Sequence, residues 1–169
     1  MHIYYTKEGK FKTRIRSKIP YDKLYRANGP NVILSDGSKE WWVNGLRHRL
    51  NAPAVITKTG FKQWWIKGKL HRLDGPALTS NIRKEWYVNG KKHRKDGPAV
   101  IFADGSEEWW VNNKLYRLDG PAIIWSNGDE EWWINDELLN TNKVEDWIKD
   151  NNINLKTKEH QVLFMLKFG

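Results

Sequence analysis

Along this chain the apolar positions follow two periods. The longer is set by tryptophan and proline: Trp41, Trp64, Trp86, Trp109 and Trp132 mark one place in a repeating unit, and Pro30, Pro53, Pro76, Pro98 and Pro121 another, at spacings of 22 or 23 residues. A fixed period of this size signals a unit that cannot bury its own apolar face and must stack on its neighbours. The shorter period, of two residues, runs from Lys10 to Ile19, with Lys10, Lys12, Arg14, Arg16 and Lys18 on one side and Phe11, Thr13, Ile15, Ser17 and Ile19 on the other. Such alternation predicts a half-buried strand with a basic face. Ile3-Tyr4-Tyr5 supplies its hairpin partner across a glycine-containing turn. Together the periods predict a mainly β chain: an elongated single-layer antiparallel meander of about five 23-residue hairpin repeats with a C-terminal helical cap. Its segments are 1–27, a basic N-terminal hairpin with a degenerate half-repeat; 28–140, the repeat array; and 141–169, the cap.

Turn chemistry supplies the register. Asn44-Gly45 and Asn89-Gly90 suit the type I′ turn, whose two central residues both need positive φ, and Lys67-Gly68, Asn112-Asn113 and Asn135-Asp136 hold the same place. Asp36-Gly37 and Asp104-Gly105 mark the other turn, with Thr59-Gly60 and Asn127-Gly128 as variants. Proline and the next first-position Trp lie 11 residues apart, except for the 10 between Pro76 and Trp86, where the unit loses its Asp-Gly.

Taken as two-residue loops, these turns assign the faces. Val43 then faces Leu46, Trp42 faces Arg47, Trp41 faces His48, Glu40 faces Arg49, and Val32 lies beside Trp41. One face collects the first Trp column, the columns Val32, Val55, Leu78, Val100, Ile123 and Val43, Ile66, Val88, Val111, Ile134, and His48, His71, His93 and Tyr116. That face is the predicted core, with each His stacked on its cross-strand Trp. The other face carries Trp42, Trp65, Tyr87, Trp110 and Trp133 beside cross-strand pairs of Glu40 with Arg49, Gln63 with Arg72, Glu85 with Arg94 and Glu108 with Arg117. Tryptophan, tyrosine and arginine are the residues enriched at binding hot spots, so this face is the candidate binding surface.

Asp74-Gly75-Pro76, Asp96-Gly97-Pro98 and Asp119-Gly120-Pro121, with Asn28-Gly29-Pro30 and Asn51-Ala52-Pro53 as weaker copies, predict a bulge or bend in each return strand, because proline cannot donate into a ladder. After the fifth unit the pattern changes. Thr141 as N-cap with Val144, Trp147 and Ile148 at helical spacing predicts a helix near 142–150, and Val162, Leu163, Met165, Leu166 and Phe168 a second near 157–167.

The unit Trp-Trp-x-Asn-Gly-x-x-His-Arg-x-Asp-Gly-Pro-Ala, followed by Asp-Gly-Ser, resembles the MORN repeat, a β-hairpin unit of about 23 residues. It looks closest to the Trp-Trp variant in proteins of phages and large-genome viruses, whose arrays similarly end in a Trp-containing helical tail like Val144-Glu145-Asp146-Trp147-Ile148. The resemblance covers roughly residues 23–150 and implies a scaffold that binds proteins and, in some members, lipid. The chain departs from the family in carrying Arg49, Arg72, Arg94 and Arg117 where the family has glycine.

Composition narrows the chemistry. The absence of cysteine removes disulfides, thiol catalysis and Cys-based zinc sites. No signal-peptide-like run opens the chain and no span of about 18 apolar residues occurs, so the expectation is a cytoplasmic protein, in the host cytoplasm if viral, with no transmembrane segment. The net charge of +9 is local: residues 1–27 carry 8 Lys/Arg against 2 acids, residues 28–140 carry 16 against 14, and residues 141–169 carry 5 against 4. The basic residues Lys10, Lys12, Arg14, Arg16 and Lys18 therefore form either an alternative phosphate-binding patch or an edge strand guarded by lysine.

Equivalent histidines of successive units lie two strands apart, roughly 9.5 Å, whereas zinc ligands sit about 2.0 Å from the ion. His48, His71 and His93 thus cannot share one metal, and Asp74, Asp96 and Asp119 fail as a carboxylate pair for the same reason. No nucleophile-elbow, zinc-protease or phosphate-loop pattern occurs. The expectation is a non-enzyme without cofactor or metal: a protein-binding repeat module, an inhibitor or adaptor acting on a host protein or a homodimer, through Trp42, Trp65, Tyr87, Trp110 and Trp133 with Arg49, Arg72, Arg94 and Arg117. The alternative is nucleotide or single-stranded nucleic-acid binding, with aromatics as stacking platforms and the basic strand tracking phosphates.

Overall fold

A computed structural model describes residues 1–14, 20–26 and 28–169. The chain divides into two compact units, Met1–Gly90 and Lys91–Gly169. In the first, His2–Thr6 pairs antiparallel with Gly9–Thr13 on one side and Val32–Ile33 on the other. The meander continues through Lys39–Glu40, Val55–Ile56, Lys62–Gln63, Leu78–Thr79 and Arg83–Glu85, each antiparallel to the last. In the second unit Val100–Phe102, Glu107–Glu108, Ile123–Ile124 and Glu130–Glu131 pair in the same way. The chain is thus mainly β, an antiparallel meander of short hairpins ending in helices, as its period and turns predict.

Each repeat also sends out a second, tighter hairpin. Trp42–Val43 pairs with Leu46–Arg47, Trp65–Ile66 with Lys69–Leu70, Trp110–Val111 with Lys114–Leu115, and Trp133–Ile134 with Glu137–Leu138. Their turn residues take the positive φ expected of type I′, 48° at Asn44 and 74° at Gly45. The first Trp of each repeat joins the two pieces. The Trp41 amide donates to the Ala54 carbonyl in the meander, and the Trp41 carbonyl accepts from the His48 amide in the hairpin; Trp64 and Trp109 do the same with Ala77 and His71, and with Ala122 and Tyr116.

The other turn overturns the predicted faces. In the first repeat Gly37 donates to the Leu34 carbonyl and Leu34 to the Ser38 carbonyl, so the loop is the three residues Ser35-Asp36-Gly37, with Gly37 at φ 90°. This is the three-residue hairpin with glycine in the left-handed bulge position. One residue more in a loop shifts the register by one, and a shift of one flips every side chain. Val32 therefore lies opposite Glu40, not Trp41, and Val55 opposite Gln63. The same geometry recurs at Phe102 to Ser106 and Trp125 to Asp129. Where the third repeat is one residue short, Ser80 closes directly onto Arg83 and Leu78 still meets Glu85, so the deletion removes the bulge and keeps the register.

The buried interior of the meander is accordingly Val32, Val55, Leu78, Val100 and Ile123 with Ala54, Ala77, Ala99 and Ala122 and the carboxylates Glu40 and Glu85. Of the expected core column Val43, Ile66, Val88, Val111, Ile134, only Ile134 is buried, and Val43 is exposed. At the N-terminus Tyr4 packs with Leu24 and Val32, and the outer strand Gly9–Thr13 carries exposed Lys10 and Lys12. The predicted strand extension through Ile15 to Ile19, with Arg16 and Lys18, lies outside the described residues.

At the C-terminus helix α1 spans Thr141–Asp150 and helix α2 spans Lys158–Phe168. The N-cap of α1 is Asn140, whose side chain accepts from the Lys143 amide, one residue before the expected Thr141; Thr157 caps α2. Phe164, Val144 and Leu155 bury against Trp132 and Ile134. Among the described residues no helix is long and apolar enough to cross a membrane.

Candidate functional site

The arginines expected beside the second Trp column stand elsewhere, and so do their partners. Arg49 lies 3.9 Å over the Trp41 ring, Arg72 4.2 Å over Trp64 and Arg117 3.8 Å over Trp109. The predicted pairs of Glu40 with Arg49 and Gln63 with Arg72 do not form, nor does Glu108 with Arg117. The reason is local: each arginine curls back over its own chain, donating from Nη1 to the carbonyl of the proline four residues on, Pro53, Pro76, Pro98 and Pro121 at 3.1, 3.4, 3.1 and 3.0 Å. Arg26 does the same with Pro30 while lying 4.0 Å over Tyr5. A Cβ on Gly75 or Gly120 would come within 3.1 or 3.0 Å of the guanidinium carbon. The approach is close but does not require glycine, since Arg49 makes the same clamp with Ala52 before Pro53. The Asp-Gly-Pro triplet is thus an arginine clamp set at the bend that its proline predicts.

Two open hollows lie between successive clamps. In the first unit one of about 460 Å³ is lined by Arg49, Asn51, Trp64, His71, Arg72 and Asp74, with Ile66 and Leu73. In the second unit a hollow of about 610 Å³ is lined by Arg94, Trp109, Tyr116, Arg117 and Asp119, and Gln161 of α2 forms part of its wall. Apolar ring edges, fixed guanidinium groups and shallow concavity suit a polypeptide better than a small molecule buried on all sides. His71 lines the first hollow. Nδ1 of His48, His71 and His93 accepts the amide of Lys67, Asn89 and Asn112 at 3.0, 3.0 and 3.3 Å. That bond leaves Nε2 as the N–H of the neutral ring.

The second Trp column is half-buried, and its polar atoms turn inward. Trp42 donates to Glu40, Trp65 to Gln63, Tyr87 to Glu85, Trp110 to Glu108 and Trp133 to Glu131, at 3.0, 2.9, 2.8, 2.7 and 2.8 Å. Trp42 also stacks on Tyr21 with ring centroids 4.2 Å apart. Cations beside this column include Arg47, which bonds Glu40 and lies near the Trp42 and Trp65 rings, Arg83, which pairs with Glu85, and Lys92 over Trp110. The sequence places Arg47 opposite Trp42, as observed, but the candidate site includes none of these cations. The signal for Arg47 was that cross-strand pairing, which the Asn-Gly turn fixes.

One ion cluster ties the cap to the array. Asp119 accepts from Arg117 Nε at 2.7 Å and from Lys156 Nζ at 3.4 Å. Burial pushes the Asp119 carboxyl up, but the Arg117 hydrogen bond and the charges of Arg117 and Lys156 outweigh it and hold the group below its ordinary value. A folded-state pKa below the unfolded one of about 3.9 contributes stability above that value and loses it as pH falls through the folded pKa. Denaturant midpoints should therefore drop as pH is lowered from about 4, and Asp119→Asn should flatten part of that drop. A variant whose profile matches the parent would show that the cluster is not coupled to folding.

Among the described residues no group of three or more His, Asp or Glu side chains could hold a metal ion. No protein-family model matches the chain, and no curated protein matches it in sequence.

Proposed function

We propose that the protein is a non-enzymatic, MORN-like protein-binding module that takes its partner on the arginine–tryptophan side of its repeats. The observation that carries this reading is how the chain treats its own first-column indoles. Trp41, Trp64 and Trp109 are covered by arginine, whereas Trp132, which has Leu139-Asn140 in place of the His-Arg dipeptide, packs on Phe164 of α2 with ring centroids 5.7 Å apart. The repeat surface thus already accepts the apolar face of a helix where an arginine is missing. Elsewhere it offers arginine and tryptophan edges of the kind that dominate binding energy. The second Trp column supports this side from within, since its N–H groups are bonded to Glu and Gln of the meander. The likeness to Trp-Trp units of phage and large-virus proteins makes a host cytoplasmic protein the proposed partner, with inhibition or adaptation as the role.

Nucleic-acid binding is the weaker reading. Base stacking needs an open aromatic face, and arginine already occupies those of Trp41, Trp64 and Trp109.

The test is a pull-down from the native cell with three variants: Trp64→Ala with Arg72→Ala; Leu73→Glu, an exposed change that leaves packing intact; and Lys10→Glu with Lys12→Glu. The first two should lose the captured protein and the third should keep it. Loss by the third alone, with oligonucleotide binding that weakens steeply with salt, would favour the basic patch instead.

A further inference from the structure

The repeats differ in one charge, and the difference points to a ligand. In three clamps the arginine is followed two residues on by an aspartate: Arg72 Nε donates to Asp74 Oδ1 at 3.0 Å, Arg117 Nε to Asp119 Oδ1 at 2.7 Å, and Arg94 Nε lies 3.9 Å from Asp96. In the clamp of Arg49, as in that of Arg26 with Asn28, that place belongs to a neutral residue, here Asn51, held at φ 58°. Arg49 keeps its stack on Trp41 and its bond to Pro53, yet among the described residues it has no carboxylate partner, and its Nε edge has no acceptor. Burial pulls Arg49 below the ordinary arginine value, though such a guanidinium stays protonated. The result is a fixed, half-buried cation without a counter-charge on the wall of the 460 Å³ hollow.

We infer that this hollow binds the carboxylate of an acidic side chain from a protein partner, seated on the Nε edge of Arg49 where the clamps of Arg72, Arg94 and Arg117 place their own aspartate. The inference rests on the protein-binding reading above and names the chemistry that reading would recognise. Charge-assisted bonds of this kind are about twice as strong as neutral ones. His71 on the same wall keeps an Nε2–H, a second donor for the acid. Around the hollow the shoulders are apolar: Leu50 and Leu73 stand 63% and 78% exposed. The fitting segment therefore carries an aspartate or glutamate flanked by apolar side chains.

The test uses the full chain with nitrogen-labelled arginine, and follows the Nε–H signals as N-acetyl-glutamic acid amide or its glutamine counterpart is added. The glutamate probe should move Arg49 saturably and the glutamine probe should not, while Arg72 and Arg117, already paired with aspartate, stay still. Asn51→Asp should abolish the Arg49 response by supplying an internal carboxylate. Asp74→Asn should create one at Arg72. An Arg49 signal unmoved by glutamate, moved equally by both probes, or still responsive in Asn51→Asp would overturn the inference. If the probe experiment fails while Leu73→Glu still loses the captured protein, the carboxylate site falls alone and the binding surface stands. If it succeeds while Leu73→Glu and the Trp64/Arg72 variant keep their captured protein, the site recognises a small acid and the protein-binding reading falls.

Discussion

Truncating Phe164 to alanine is expected to destabilise the second unit by about 3–5 kcal/mol, the usual cost of a large cavity in a packed core. Phe164 is the one fully buried residue of α2 and is 0% exposed. Its ring meets Phe168, Trp132 and Trp147 at centroid distances of 5.2, 5.7 and 6.2 Å, and Val144 and Leu155 share the same cluster. Three rigid aromatic neighbours have little freedom to collapse into the gap. Val162, Leu163 and Leu166 on its other sides are exposed, so Phe164, with Met165 and Phe168 beside it, carries the apolar contact of α2 with the cluster. Losing Phe164 should therefore loosen α2 from Trp132, and part of the red-edge near-ultraviolet dichroism of the indoles should fade with it. Leu166→Ala, at a position 80% exposed, should change stability by no more than about 0.5 kcal/mol. Equal losses for the two variants in a urea titration would show that α2 does not pack as described.

What the sequence reveals about this fold depends on how local the cause is. The period, the Asn-Gly turns and both helices were readable because each rests on a few adjacent residues with strong φ or spacing demands. The faces were misread for an equally local reason. Asp36-Gly37 was counted as a two-residue loop, while Ser35-Asp36-Gly37 forms a three-residue loop whose glycine takes the bulge, and Ser38 donates its amide back to Asp36. That single residue moved the Val32 column from the first Trp to Glu40. The arginine clamp was hidden because its acceptor is a backbone carbonyl four residues on, and a carbonyl leaves no mark in a sequence. The available sign was the recurrence of an arginine four residues before each proline, Arg49 to Pro53 as much as Arg72 to Pro76, with or without the glycine between. The inward Glu column was unreadable by polarity alone, since carboxylates are seldom fully buried unless paired. Its clue was the alternation Glu-Trp-Trp, which puts each acid and the second Trp on one side of the strand.

That column yields the second large prediction, in which two substitutions at one site should separate charge from hydrogen bonding. Glu40 is 2% exposed and lies opposite Val32. Its Oε2 accepts from the Trp42 indole and its Oε1 from Arg47, both at 3.0 Å. Glu40→Ala would leave the indole N–H without its acceptor inside the sheet and open a gap beside Val32, at a cost of about 2–4 kcal/mol. The Arg47 side chain is 28% exposed, so water can replace part of what it loses, and the ion pair itself carries only a small share of that cost. Glu40→Gln should cost about 1 kcal/mol or less. The next repeat already tests this arrangement, because Gln63 stands in the same place and accepts from Trp65 at 2.9 Å. Urea titrations of the two variants decide the matter. If glutamine costs as much as alanine, the charge on Glu40 and its pairing with Arg47 hold the repeat together; if only alanine is severe, the column exists to give each inward-facing indole an acceptor.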